Sequence, residues 1–114
     1  MITIKSNMKY GTCNYIIQRG CPIEETLRLL GGKWKGIIIN TLNDESHFYN
    51  SLHRDISGIS RKILTEQLNE LIDLQIVKRE ETNDYPKKVC YSLTERGKSI
   101  YPLIQEMSQL LQRN

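Results

Sequence analysis

Ile56-Ser57-Gly58-Ile59-Ser60-Arg61-Lys62-Ile63-Leu64-Thr65-Glu66-Gln67-Leu68-Asn69-Glu70-Leu71-Ile72-Asp73-Leu74 is the stretch on which the fold turns. An apolar segment ends in a glycine-containing turn. Ser60 follows where a serine caps a helix, and Leu64, Leu68, Leu71 and Ile72 then recur at helical spacing. One face of this helix is therefore buried, while Arg61, Lys62 and Thr65 stand free near its start. A basic β-hairpin follows almost at once. A helix held at its back, with its cationic N-terminal end beside a basic loop, is built to enter a DNA groove.

Working outward, the spacing predicts two strands, over 76–82 and 88–93. Val89, Tyr91 and Leu93 alternate onto one face. The loop between them carries Tyr85, Lys87 and Lys88. Upstream, residues 49–55 predict a short helix with Leu52 inward, preceded by a short strand over 45–48 and a turn at Asn43-Asp44. A helix over 33–42 presents Trp34, Ile37, Ile38 and Leu42 as an apolar face thickened by Ile39, with Trp34 in the core. Gly36 inside it costs about 1 kcal/mol relative to alanine, with no account from the sequence.

Cys21-Pro22 opens an earlier helix, with proline at the position where its missing N–H is no loss and Glu24 and Glu25 in the first turn. Ile23, Leu27 and Leu30 form its inner stripe, and Gly31-Gly32 ends it. Thr94 caps a last helix, in which Pro102 sets a kink and Ile100, Leu103, Ile104, Met107, Leu110 and Leu111 form an apolar stripe. No later element covers that stripe, which points to pairing with a second copy. Residues 1–20 are a polar arm, with a short ordered piece around Tyr15-Ile16-Ile17, and 21–114 form one domain. The class is α+β, mostly helical: a winged helix-turn-helix with N- and C-terminal dimerisation helices.

Composition bounds the function. A net charge of +3 in 114 residues is too mild to identify a nucleic-acid binder, so the placement of charge has to decide. No apolar run has the length of a membrane span, and the N-terminus has no signal-peptide pattern, so a cytoplasmic location without membrane contact is expected. Three cysteines, Cys13, Cys21 and Cys90, are an odd number and argue against a secreted disulfide framework. With His47 and His53 they give no metal-ligand spacing. No phosphate-binding loop or nucleophile motif is present, so neither an enzyme nor a cofactor is expected.

These elements in this order resemble the HxlR family of bacterial transcription regulators, relatives of the MarR group. The resemblance rests on Cys21-Pro22, Gly31-Gly32-Lys33-Trp34, residues 48–52, Gly58-Ile59-Ser60 and Leu64-Thr65 with Gln67-Leu68 and Leu71. It continues through Ile76-Val77, Arg79, Tyr91-Ser92-Leu93-Thr94 and Gly97, and covers residues 21–111. It implies a dimeric winged-helix DNA binder. Some such proteins respond to oxidants or electrophiles through a cysteine just before the first helix, the place Cys21 holds here. The chain departs from the family at Gly36, where a larger residue is usual, and at Cys90, where a polar or charged one is usual.

Two readings of the 60–74 helix stand side by side on pattern alone. In one, Ser60, Arg61, Lys62, Thr65 and Asn69 face DNA, with Arg54 and His53 on the backbone and Tyr85, Lys87 and Lys88 as a wing in the adjacent groove. In the other it is an ordinary solvated amphipathic helix, for which Glu66, Glu70 and Asp73 speak. The hairpin and the resemblance favour DNA. The expected function is a homodimeric, sequence-specific transcription regulator, a repressor at a near-palindromic operator. A reactive small-molecule inducer would act through Cys21, with Cys13 and Cys90 the weaker thiols. The alternative is a winged-helix protein-interaction module that does not bind DNA.

Overall fold

The structure, a computed structural model, describes residues 21–112. The 1–20 arm, Cys13 and Arg19 lie outside the described residues. Chain contacts divide the molecule after Gly32. The first unit contributes one described helix, α1 (Pro22–Leu30), with Cys21 as its N-cap and Glu24 and Glu25 in its first turn. Arg28 pairs with Glu25 one turn back at 2.5 Å. The expected inner stripe is not buried: Ile23 and Leu27 are exposed.

The second unit starts at Lys33 and holds α2 (Lys35–Asp44), β1 (His47–Phe48), α3 (Tyr49–Asp55), α4 (Arg61–Asp73), β2 (Val77–Glu81), β3 (Val89–Leu93) and α5 (Glu95–Gln112). The strands form an antiparallel sheet in the order β1-β3-β2. Leu93 sits opposite Val77, and Cys90 lies between Phe48 on one side and Glu80 on the other. This is the winged helix-turn-helix, with α3 and α4 as the helical pair and the β2–β3 hairpin as the wing.

The core is assembled from one residue row of each element. Ile38, Ile39 and Leu42 of α2 meet Leu52 of α3, Leu64, Leu68 and Leu71 of α4, and Val77, Tyr91 and Leu93 of the sheet, all buried. Burial of each such side chain stabilises by about 1.5–3 kcal/mol relative to exposure. Ile56 and Ile59 plug the α3–α4 connection, where Gly58 takes a φ of 86° that a side chain would resist.

The α4–β2 turn is stapled to the start of α5. Gln75 takes a φ of 62° after α4 ends. Thr94 Oγ1 donates to the Gln75 carbonyl at 2.6 Å and accepts from the Gly97 N–H at 3.0 Å, so one hydroxyl both caps α5 and ties the turn. Arg96 donates to the Leu74 carbonyl at 2.9 Å. Gly97 is buried here, and a methyl in its place would run into the Ile76 carbonyl.

Four local expectations are corrected. Helix α2 begins at Lys35 and runs through Asn43-Asp44, where a turn was expected. Trp34 is half-buried at the head of that helix, with the Lys33 ammonium 4.8 Å from its ring, instead of lying in the core. Ile37 is exposed because the buried face follows Ile38, Ile39 and Leu42. The first strand is only His47–Phe48. Helix α5 runs through Pro102 to Gln112, with Ile100 and Ile104 half-buried and Leu103, Met107, Leu110 and Leu111 exposed.

Candidate DNA interface

Helix α4 begins as its sequence dictates. Ser60 holds extended backbone and its Oγ accepts from the Ile63 N–H at 3.1 Å. Arg61, Thr65 and Asn69 then follow at four-residue steps along one exposed row, about a quarter turn from buried Leu64, Leu68 and Leu71. Lys62 is exposed beside them. No acidic side chain occupies the first turn, so the positive end of the helix dipole and two cations coincide there.

The structure brings α3 against this end. The Tyr49 hydroxyl donates to the Arg61 carbonyl at 3.1 Å and lies 3.0 Å from Thr65 Oγ1. The Arg61 guanidinium stands 5.5 Å from the Tyr49 ring centroid, and its Nη1 donates to Asn50 Oδ1 at 3.0 Å. Tyr49 and Asn50 were not among the residues expected at the site. Their only sequence signal is position, at the start of the helix before the capped one. Arg54 is exposed on the same short helix, 3.9 Å from Asp55. His53 is not free for a backbone contact, since its Nε2 lies 2.9 Å from the Ile59 carbonyl.

In the wing, Thr82 and Lys88 close the loop: the Thr82 N–H donates to the Lys88 carbonyl at 2.8 Å and the Lys88 N–H donates to Thr82 Oγ1 at 3.0 Å. Tyr85 is 99% exposed at the tip and Lys87 is exposed next to it. The Lys88 ammonium folds back to 5.4 Å from the Phe48 ring. A cleft of about 520 Å³ separates the wing from the head of α3, lined by Phe48, Tyr49, Asn50, Lys87, Lys88 and Tyr91 among others. On the other side of β2, Asn69 shares a shallow cleft with Lys78, Arg79 and Arg96.

Of the thiols, Cys21 is half-buried and its Sγ accepts from the Glu24 N–H at 3.4 Å, in the manner of a capping serine. Cys90 is half-buried in β3. Among the described residues no cluster of His, Cys, Asp and Glu is able to hold a metal ion. No helix there is long and apolar enough to cross a membrane.

Residues 29–114 match the profile of HxlR-like helix-turn-helix proteins. The chain belongs to the HxlR family. It is a transcriptional regulator of the HxlR type, with relatives of the same kind. The uncharacterized HTH-type transcriptional regulator YybR of Bacillus subtilis is 41% identical over 95 residues, covering 83% of this chain and 76% of YybR. The redox regulator HypR in its oxidized form superposes with a TM-score of 0.73 at 40% identity, over 82% of this chain and 99% of that one. Diamide-treated YodB from Bacillus subtilis superposes at 0.72 with 39% identity, over 78% of this chain and 89% of YodB.

Proposed function

We propose that this HxlR regulator is a homodimeric, sequence-specific DNA-binding repressor. The observation that carries the reading is the coincidence at one end of α4 of a serine cap, exposed Arg61, Lys62 and Thr65, and no acid. Acids Glu66, Glu70 and Asp73 lie further along the helix, where they do not oppose phosphate at the leading end. Arg61, Thr65 and Asn69 read base edges, while Lys62, Arg54, Lys87 and Lys88 contact phosphate and Tyr85 meets the adjacent groove.

The exposed row Leu103, Met107, Leu110 and Leu111, continued by half-buried Ile100 and Ile104, pairs with a second copy. Two reading heads on a twofold axis require a near-palindromic operator with half-sites about one helical turn apart. The redox regulator HypR and diamide-treated YodB, both similar to this chain, support a thiol input, and Cys21 is its seat. An oxidant or electrophile that modifies Cys21 releases the protein from DNA by favouring a second dimer geometry, and only to the extent that it binds or forms better in that state.

Selection of bound duplexes from a random pool at moderate salt, with and without reductant, tests this reading. Enrichment of a near-palindrome supports it. A pool that stays random, with a protein captured instead through Arg61 and Lys87, favours an interaction module. Cys21→Ser stays on the selected duplex under oxidant; release at the wild-type dose removes Cys21 from the mechanism.

A further inference from the structure

Tyr49 lies twelve positions before Arg61, yet its side chain and that of Asn50 reach the first turn of α4. A phenol has one proton. With that proton on the Arg61 carbonyl, the 3.0 Å contact to Thr65 is made by the threonine hydroxyl donating to the phenol oxygen. Thr65 then offers a further partner oxygen lone pairs and not a hydroxyl donor. The Arg61 guanidinium is held twice, by the Asn50 oxygen on Nη1 and by the Tyr49 ring across the gap of 5.5 Å. Four of the five guanidinium N–H groups remain for a further partner, those on Nε and Nη2 among them.

We propose that Tyr49 and Asn50 are positioning residues that preset Arg61 as a base reader, with guanine as the base its fork fits. The inference rests on the DNA-binding reading above. A phosphate contact tolerates a mobile cation, because the charge attracts from many directions. Reading guanine requires two N–H groups aimed together at O6 and N7. An exposed arginine normally spreads over many rotamers, and ordering it on binding opposes association. Two fixed contacts in the free protein complete part of that ordering beforehand, which favours the planar, directional contact over the diffuse one. Lys87, exposed in the wing loop, has no such clamp among the described residues and stays a phosphate contact.

Two measurements test the proposal. In the free protein, ¹⁵N relaxation of the Arg61 side-chain Nε–H reads order without DNA. It is ordered in wild type, mobile in Asn50→Ala, and ordered again in Asn50→Asp, which keeps the acceptor. On the selected operator, Arg61→Ala loses preference for one guanine in each half-site. Asn50→Ala lowers discrimination at that base pair about tenfold and leaves the slope of affinity against salt unchanged. Asn50→Asp restores discrimination even as its added charge lowers overall affinity. Tyr49→Phe, which keeps the ring, weakens preference at the Thr65 position. Unchanged discrimination and unchanged Arg61 order in Asn50→Ala overturn the proposal. So does a uniform loss over all sequences with a smaller salt slope, which makes Arg61 a phosphate contact. If wild type selects no sequence, the DNA reading itself fails, and an ordered Arg61 in that protein is then a structural contact with no reading role.

Discussion

The ammonium of Lys35 lies 2.5 Å from Glu70 Oε1 and 3.0 Å from Gln67 Oε1, joining the head of α2 to the back of α4 across 35 positions of sequence. Lys35 is 6% exposed, whereas Glu70 is about half exposed. The pair is therefore lopsided. Glu70 keeps much of its water without its partner, but Lys35 does not.

That asymmetry sets an order of stabilities. Glu70→Ala leaves a buried ammonium with one neutral acceptor and costs about 1–3 kcal/mol. Lys35→Met keeps the stem's packing and returns Glu70 to solvent, so its cost is smaller, under about 1 kcal/mol. Urea unfolding of both variants decides it, and the reverse order contradicts this account of the pair.

Gly36 and Gly97 respond oppositely to the same methyl group. Among the described residues nothing lies within 4 Å of a methyl at Gly36, so Gly36→Ala stabilises by about 0.5–1 kcal/mol through helix propensity. At Gly97 a methyl meets the Ile76 carbonyl, which already accepts from the Thr94 N–H. Gly97→Ala therefore lowers stability, by about 1–3 kcal/mol. Thermal unfolding of the two variants gives shifts of opposite sign.

Ser60→Ala removes the acceptor for the Ile63 N–H and costs about 1 kcal/mol. The first turn of α4 frays, so amide hydrogen exchange quickens at Ile63. Ser60→Asp retains the bond and slows that exchange again.

Charge placed in the exposed α5 row divides the dimer. Met107→Glu together with Leu110→Glu shifts sedimentation to the monomer, which still folds because neither side chain is buried in the single chain, and lowers stability only by what dimerisation had added. An unaltered dimer after both substitutions moves the interface elsewhere.

Lys87→Ala lowers affinity for all duplexes alike and reduces the slope of log affinity against log salt by about 1 per protomer. Titrations at several salt concentrations measure it. A change in which sequences are preferred makes Lys87 a base reader instead.

The order of elements, the Ser60 and Thr94 caps, the Ser57-Gly58 turn and the buried leucines of α4 were all legible in the chain, because each is a local matter. Caps and turns are fixed by neighbouring backbone, and periodicity names the buried face of one helix. The same reasoning misjudged Trp34 and Ile37. Their apolar character fits a core, but α2 starts two residues later than expected and turns its buried face to Ile38, Ile39 and Leu42. The inner stripe expected for α1 failed similarly, since periodicity gives a face and not its partner.

What tertiary structure alone decided are the contacts between residues far apart in sequence. Nothing in the pattern tells that Lys35 finds Glu70, that Tyr49 and Asn50 grip Arg61, or that His53 is occupied by the Ile59 carbonyl. The sequence determined which residues stand at the leading end of α4. Packing of α3 against that end determined how stiffly they stand there. The physical reason is that a side-chain hydrogen bond depends on ångström-scale placement of two backbones. Local rules fix each backbone by itself, and only the shared core fixes one relative to the other.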